Sequence, residues 1–141
     1  MLFSPDDLHL IKEGPAARRA AEHITDGELA AMRETLDLQR YYVEKGGENS
    51  SDQIKNLDSV FHEQLYRSTA SKAYCDTLLT LHKKITKFRM ASVSQHSRAM
   101  RSLEEHERIY AALAARDPEA AEQAVIEHAR NARERIENME R

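Results

Sequence analysis

The 141-residue sequence has no tryptophan, one cysteine, four glycines and three prolines. A lone Cys75 cannot close a disulfide, so no covalent staple holds the fold; a reducing, cytoplasmic setting is the compartment it fits. No apolar run approaches the roughly 18 residues needed to cross a bilayer. The opening residues MLFSPDDLHL carry early acids and no basic stretch, so they do not read as a secretion signal. An excess of positive charge is missing too. With 21 basic and 24 acidic residues, the formal net charge is -3. That leaves no strongly basic surface of the kind a nucleic-acid binder shows, so this chain alone is not expected to be the part that touches DNA. Strand-type alternation is also absent.

What is there favours helix. Hydrophobic residues make up 40% and charged residues 32%, with Ala, Glu, Arg and Leu prominent. Length allows one domain, residues 1–141, with a single core. Ser4-Pro5-Asp6-Asp7 offers a cap and a first-position proline, predicting a helix over about Pro5 to His23, kinked where Gly14-Pro15 interrupts it. Thr25 and Glu28 have capping-box spacing and open a second helix to about Val43. EKGGENSSD reads as a flexible connection. A third helix ends near Thr69, and Ser71 caps a fourth over Lys72 to about Val93. A fifth covers about Arg98 to Ala115. Asp117 and Pro118 start a sixth that runs nearly to the end. The expected fold is all-α, an antiparallel bundle of about six helices.

Three of these helices carry ionisable side chains on their apolar faces. In the third, Ile54, Leu57, Phe61 and Leu65 form the stripe, and Asp58 and His62 fall within it or at its margin. In the fifth, His106 lies three after Leu103 and four before Tyr110. In the sixth, His128 lies between Val125 and Ala132 on a face that also holds Ala121, Ala124 and Ile136. Buried carboxylates and imidazoles need partners. Two readings follow: histidines satisfied within the core, or a shared cation. One carboxylate oxygen and three imidazole nitrogens suit Zn, Ni, Mn, Fe or Co and suit Ca or Mg poorly. Four protein ligands close a tetrahedron; a six-coordinate ion keeps two positions open.

Around this quartet, His82 reads as a core or supporting residue, and His23 and His96 as exposed. Cys75 reads as a small buried hydrophobe, and Tyr41, Tyr42 and Tyr66 as core or interface residues. Glu104 and Glu105 precede His106, and Glu127 precedes His128. Helix neighbours face different ways, so these acids are expected at the surface. Lys83, Lys84, Lys87 and Arg89 form a cationic face on the fourth helix, from which Lys84 or Arg89 could meet an anion.

The runs LDSVFHEQLYRSTAS and LEEHERIYAALAARDPEAAEQAVIEHARNARERI, with IKEGPAARRAAEHITDGELAAM near the start, closely resemble the FCD domain. This is the effector-binding C-terminal domain of FadR-type GntR transcription regulators. The resemblance covers nearly the whole chain. It implies an all-helical bundle in which many members hold a divalent metal through one Asp and three His, by position Asp58, His62, His106 and His128. It implies a small carboxylate effector held with the metal's help, and winged helix-turn-helix domains whose seating on DNA responds. His9 stands where many members carry an arginine, and Lys84 best matches a basic position of the family. The winged helix-turn-helix itself is not in this sequence, and the family's Ser-Gly-Asn turn reads Thr69-Ala70-Ser71.

The expected function is therefore a metal-assisted, effector-sensing regulator domain, not an enzyme, acting as a homodimer. Zn, Ni or Mn is the expected metal, a small organic acid the expected effector, and His9, Lys84 and Arg89 the candidate effector contacts. The competing reading is a metal-dependent helical-bundle hydrolase, for which Glu13 is the nearest candidate base.

Overall fold

The computed structural model describes the backbone of residues 5–46, 48–93 and 96–140, and the side chains of residues 12–46, 50–84 and 98–134. Six helices follow in order: α1 (Pro5–His23), α2 (Asp26–Lys45), α3 (Glu48–Arg67), α4 (Lys72–Val93), α5 (His96–Ala114) and α6 (Pro118–Glu140). The fold is all-α, as the composition requires.

Short capped turns set the helix ends. Thr25 and Glu28 form the expected capping box at the start of α2. The Ser71 hydroxyl accepts from Tyr74 N–H, and the Asp117 carboxylate accepts from Ala120 N–H. Ala70 and Arg116 take positive φ, at 55° and 53°, where α3 and α5 stop. The Arg116 guanidinium then donates to Ile24 O and to Asp26 Oδ1, fastening the α5–α6 turn onto the α1–α2 turn. Arg19 Nε donates to Thr69 O at 2.7 Å and fastens the α3–α4 turn to α1 in the same way.

Helix α1 spans the expected Pro5–His23 as one element with Pro15 inside it. One boundary departs from expectation. The stretch predicted as flexible is largely helical. Gly46, at φ 66°, stops α2, and α3 begins by Glu48. Buried Ser50 donates to Gly46 O at 2.7 Å, anchoring the first turn that the Gly- and Ser-rich composition had suggested was loose.

Helix α1 packs chiefly on α6 and α4, α2 on α3 and α5, and α5 on α6 as well. The α1–α6 seam is built from small residues. Ala16, Ala17, Ala20 and Ala21 of α1 and Ala121, Val125 and Ala129 of α6 are all at most 1% exposed. A side chain at Gly14 would bring its Cβ to 3.1 Å from Ile126 Cδ1, so Ile126 would have to give by a few tenths of an ångström to admit one. Larger groups, among them Met32, Leu36, Phe61, Leu65, Leu103, Ile109 and Leu113, fill the centre. Ile109, not Tyr110, is the fully buried residue of that turn. Tyr110 is half-buried and lies beneath the Arg33 guanidinium.

Candidate metal centre

Three buried imidazoles meet in the middle of the bundle. His62 comes from α3, His106 from α5 and His128 from α6, and their exposures are 3%, 0% and 4%. Nε2 of His128 is 3.2 Å from Nε2 of His106 and 3.4 Å from Nε2 of His62. Asp58 Oδ1 completes the group, 3.4 Å from His106 Nε2 and 3.8 Å from His62 Nε2. All four side chains expected at the centre therefore lie together. The i, i+4 spacing of Asp58 and His62 points both toward it.

The outer nitrogens decide what the inner ones present. His128 Nδ1 lies 2.7 Å from Glu105 Oε1, and His106 Nδ1 lies 3.2 Å from Gln39 Oε1. A carboxylate oxygen or an amide oxygen can only accept, so both Nδ1 atoms donate. In a neutral ring the Nε2 atom then turns a lone pair inward. Burial pushes His128 below the ordinary imidazole range, with the Glu105 hydrogen bond pulling the other way. The centre of the bundle thus gathers lone pairs at short range, an arrangement that a cation would stabilise.

The spacing fits such an ion. Metal–nitrogen bonds of about 2.0–2.1 Å place neighbouring ligands about 3.0 Å apart at right angles and about 3.4 Å apart at tetrahedral angles. The nitrogen–nitrogen separations of 3.2 and 3.4 Å fall on that scale.

A supporting ring surrounds the four. Asn131 Nδ2 donates to Glu105 Oε2 at 2.8 Å, holding the acid behind His128. Glu13, 1% exposed, accepts from Tyr66 Oη at 3.2 Å, and its Oε1 lies 3.7 Å from His62 Nδ1. Phe61 stacks on His106 with ring centres 4.2 Å apart, and His82 stacks on His62 at 4.7 Å. Arg33 forks onto Glu107 with contacts of 2.9 and 2.6 Å, tying α2 to α5.

Glu105 corrects the sequence reading: it is 5% exposed and not a surface acid. Helix α5 is enclosed on more than one side, so His106 and its neighbour can both be buried. Glu105 shares a stripe with Ser102, Ile109 and Ala112, all buried, and that stripe was a readable signal. Gln39 was readable likewise, in the buried row Met32, Leu36, Gln39, Val43.

The remaining expectations divide. His82 and Cys75 are buried and His23 is exposed, as expected, while Tyr66 is core and Tyr41 is 54% exposed. Glu104 and Glu127 are exposed. Lys84 is exposed. The side chains of His9, Arg89, His96 and Ile136 lie outside the described residues. No helix among the described residues is long and apolar enough to cross a membrane.

The sequence profile of the FCD domain matches residues 10–131. The chain belongs to the FCD domain family. Across 116 residues this FCD domain is 30% identical to the HTH-type transcriptional repressor RspR of Escherichia coli K12, spanning 82% of this chain and 50% of that protein. The same figures hold for the HTH-type transcriptional regulator YdfH of Shigella flexneri. The chain thus spans about half the length of the curated relatives it matches. Among solved structures, it is similar to E. coli McbR/YncC, with a TM-score of 0.83 at 19% identity over 97% of this chain and 64% of that one. It is also similar to Streptococcus agalactiae GntR, with a TM-score of 0.75 at 24% identity over 92% of this chain and 56% of that one. At those identities the likeness speaks to the fold.

Proposed function

We propose that this FCD domain senses a small organic acid through a divalent transition metal, and that it does so for a GntR-type transcription regulator. Asp58, His62, His106 and His128 would hold the ion, with zinc, nickel or manganese best suited to the donor set. The observation that carries the reading is the inward convergence of Nε2 atoms whose rings are fixed from outside by Gln39 and Glu105. The ion would supply positive charge and open coordination positions for an effector carboxylate.

This chain's own residues do the rest. Glu105, Asn131 and Gln39 orient the rings, and Phe61 and His82 pack beside them and exclude water. Because the ligands come from α3, α5 and α6, an acid that completes the centre would bind one relative placement of those helices more tightly than another. That differential affinity would bias the arrangement of a homodimer and of DNA-binding domains outside this chain. His9, Lys84 and Arg89 remain candidate contacts for the acid.

Elemental analysis of protein purified without a metal column or histidine tag tests the reading. About one first-row metal per chain, lost on chelation with a fall in melting temperature, is the expected result. Fully folded protein that takes up no zinc, nickel or manganese at micromolar levels would overturn it. For the hydrolase reading, Glu13 is the relevant group. It sits behind His62, on the Nδ1 side, and not at the Nε2 centre. Stoichiometric acid binding without turnover is therefore expected, with no enzymatic activity.

A further inference from the structure

We propose that the cleft between α3 and α4 is the port through which the buried centre exchanges its ion with solvent, and that the His82 ring is the gate of that port. The inference rests on the metal reading above and adds a route to it.

The centre is closed on several sides. His62, His106 and His128 are at most 4% exposed. Behind His106 stand Gln39 and the stacked Phe61 ring, and behind His128 stand Glu105 and Asn131. The Nδ1 side of His62 faces buried Glu13. A hydrated ion crossing any of these sides would have to break hydrogen bonds or part the core.

The α4 flank of His62 is different. There the ring is covered by the ring of His82, 4.7 Å away and 27° from parallel. His82 also lines a surface cleft of about 290 Å³, with Ser59 and Glu63 of α3 and Leu79 and Lys83 of α4. Ser59 and Glu63 directly follow Asp58 and His62 in the chain, so the cleft runs along the flank of the ligand stripe. His82 thus touches both the cleft and a ligand ring. One water needs roughly 10–15 Å³ of such space, so the cleft can admit an ion with part of its hydration shell.

The identity of the covering side chain matters. A leucine would seal the flank as well, but an imidazole nitrogen can hold a divalent ion in passing. Bound water could then be exchanged for nitrogen in steps. His62 in turn lies 5.3 Å from His128 and 21° from parallel to it, so imidazoles lead from the cleft to the centre. Rotation of His82 into the cleft would uncover His62; with the ring in place, His82 is 7% exposed and the path is shut.

The test follows cobalt(II) by its visible absorbance, during uptake by metal-free protein and during release into excess chelator. It compares the wild type with H82F, H82A and, as a control on the exposed side of α4, T80A. H82F keeps an aromatic cover but offers no nitrogen. It is expected to slow uptake and release alike by about tenfold or more, because a barrier raised between two states slows both directions by the same factor. H82A, which leaves the flank open, is expected to speed both. H82N, shorter but still polar, serves the same purpose should H82A fail to fold. In each case the dissociation constant, the ratio of the two rates, should move far less than either rate, and T80A should match the wild type. Uptake by H82F at the wild-type rate would overturn the inference and point to entry past Asp58, whose side chain is 17% exposed. A change in release alone would also overturn it, since that is what a residue merely supporting His62 would produce. Either result leaves the metal reading intact. Failure of the wild type to take up cobalt would bring down both.

Discussion

Adjacent residues on the same two helices do opposite things in this domain. Helix α1, with Gly14 close to Ile126 and four buried alanines, packs on α6, whose Ala121, Val125 and Ala129 are buried too, a seam rich in small apolar groups. Glu13 and His128 stand immediately beside that seam, and both turn into a cluster of buried polar groups. The seam is complete with what the chain provides. Its stabilisation is dispersion and burial, unaffected by ions or protons. The cluster is conditional: on the proposed reading it is completed only by a cation between its inward lone pairs. The seam holds two helices at a fixed close distance, and that fixed distance gives the conditional part a defined geometry.

Breaking each side separately sharpens the contrast. In the apolar centre, Leu113→Ala should cost about 2–5 kcal/mol, by the same amount with metal or with chelator, read as a drop in urea midpoint. In the cluster, His128→Ala should remove the metal-linked part of stability. That part is worth about 4 kcal/mol when free metal is a thousandfold above its dissociation constant, so the variant should melt alike with and without added zinc. One shell outward, Glu105→Gln keeps the shape but weakens the acceptor behind His128. Metal affinity by chelator competition should fall about 10–100-fold, with little change in the metal-free melting temperature.

The smallest effect concerns the Arg33–Glu107 fork, which ties α2 to α5 outside the cluster. The hydrogen bond from Arg33 holds Glu107 below its ordinary value of 4.5. A depressed carboxylate contributes stability that is present above that value and lost as pH falls through the lower folded one. Both partners are partly exposed, so the contribution should stay under about 1 kcal/mol. Glu107→Gln should flatten the acid limb of a stability–pH profile by that amount and leave metal uptake unchanged.

The helices were legible because their ends are written in short range. Thr25 with Glu28, Ser71, and Asp117 with Pro118 act on neighbours within one turn. Asp58, His62, His106 and His128 were legible because each interrupts an apolar row. Glu105, Glu13 and Gln39 were harder to read. For Glu105 and Gln39 the rows along their own helices signal burial, but which partner each meets depends on the helix that covers that face, and spacing within one helix does not contain that. A helix with one buried side would leave Glu105 at the surface, but α5 packs on both α2 and α6. The Gly- and Ser-rich segment misled for a related reason, since Ser50 gains its partner and its burial only once α2 and α3 are paired.

The joins across the centre are long in sequence. His128 meets His62 across 66 residues, His106 meets Gln39 across 67, and Tyr66 meets Glu13 across 53. A chain emerging from the ribosome makes α1 first and His128 near the last of its helices. The ion would therefore be loaded late, after α6 has docked on α1, and could not serve as an early nucleus. Loosening of α6 would withdraw His128 from the centre and open the seam with α1 at the same time.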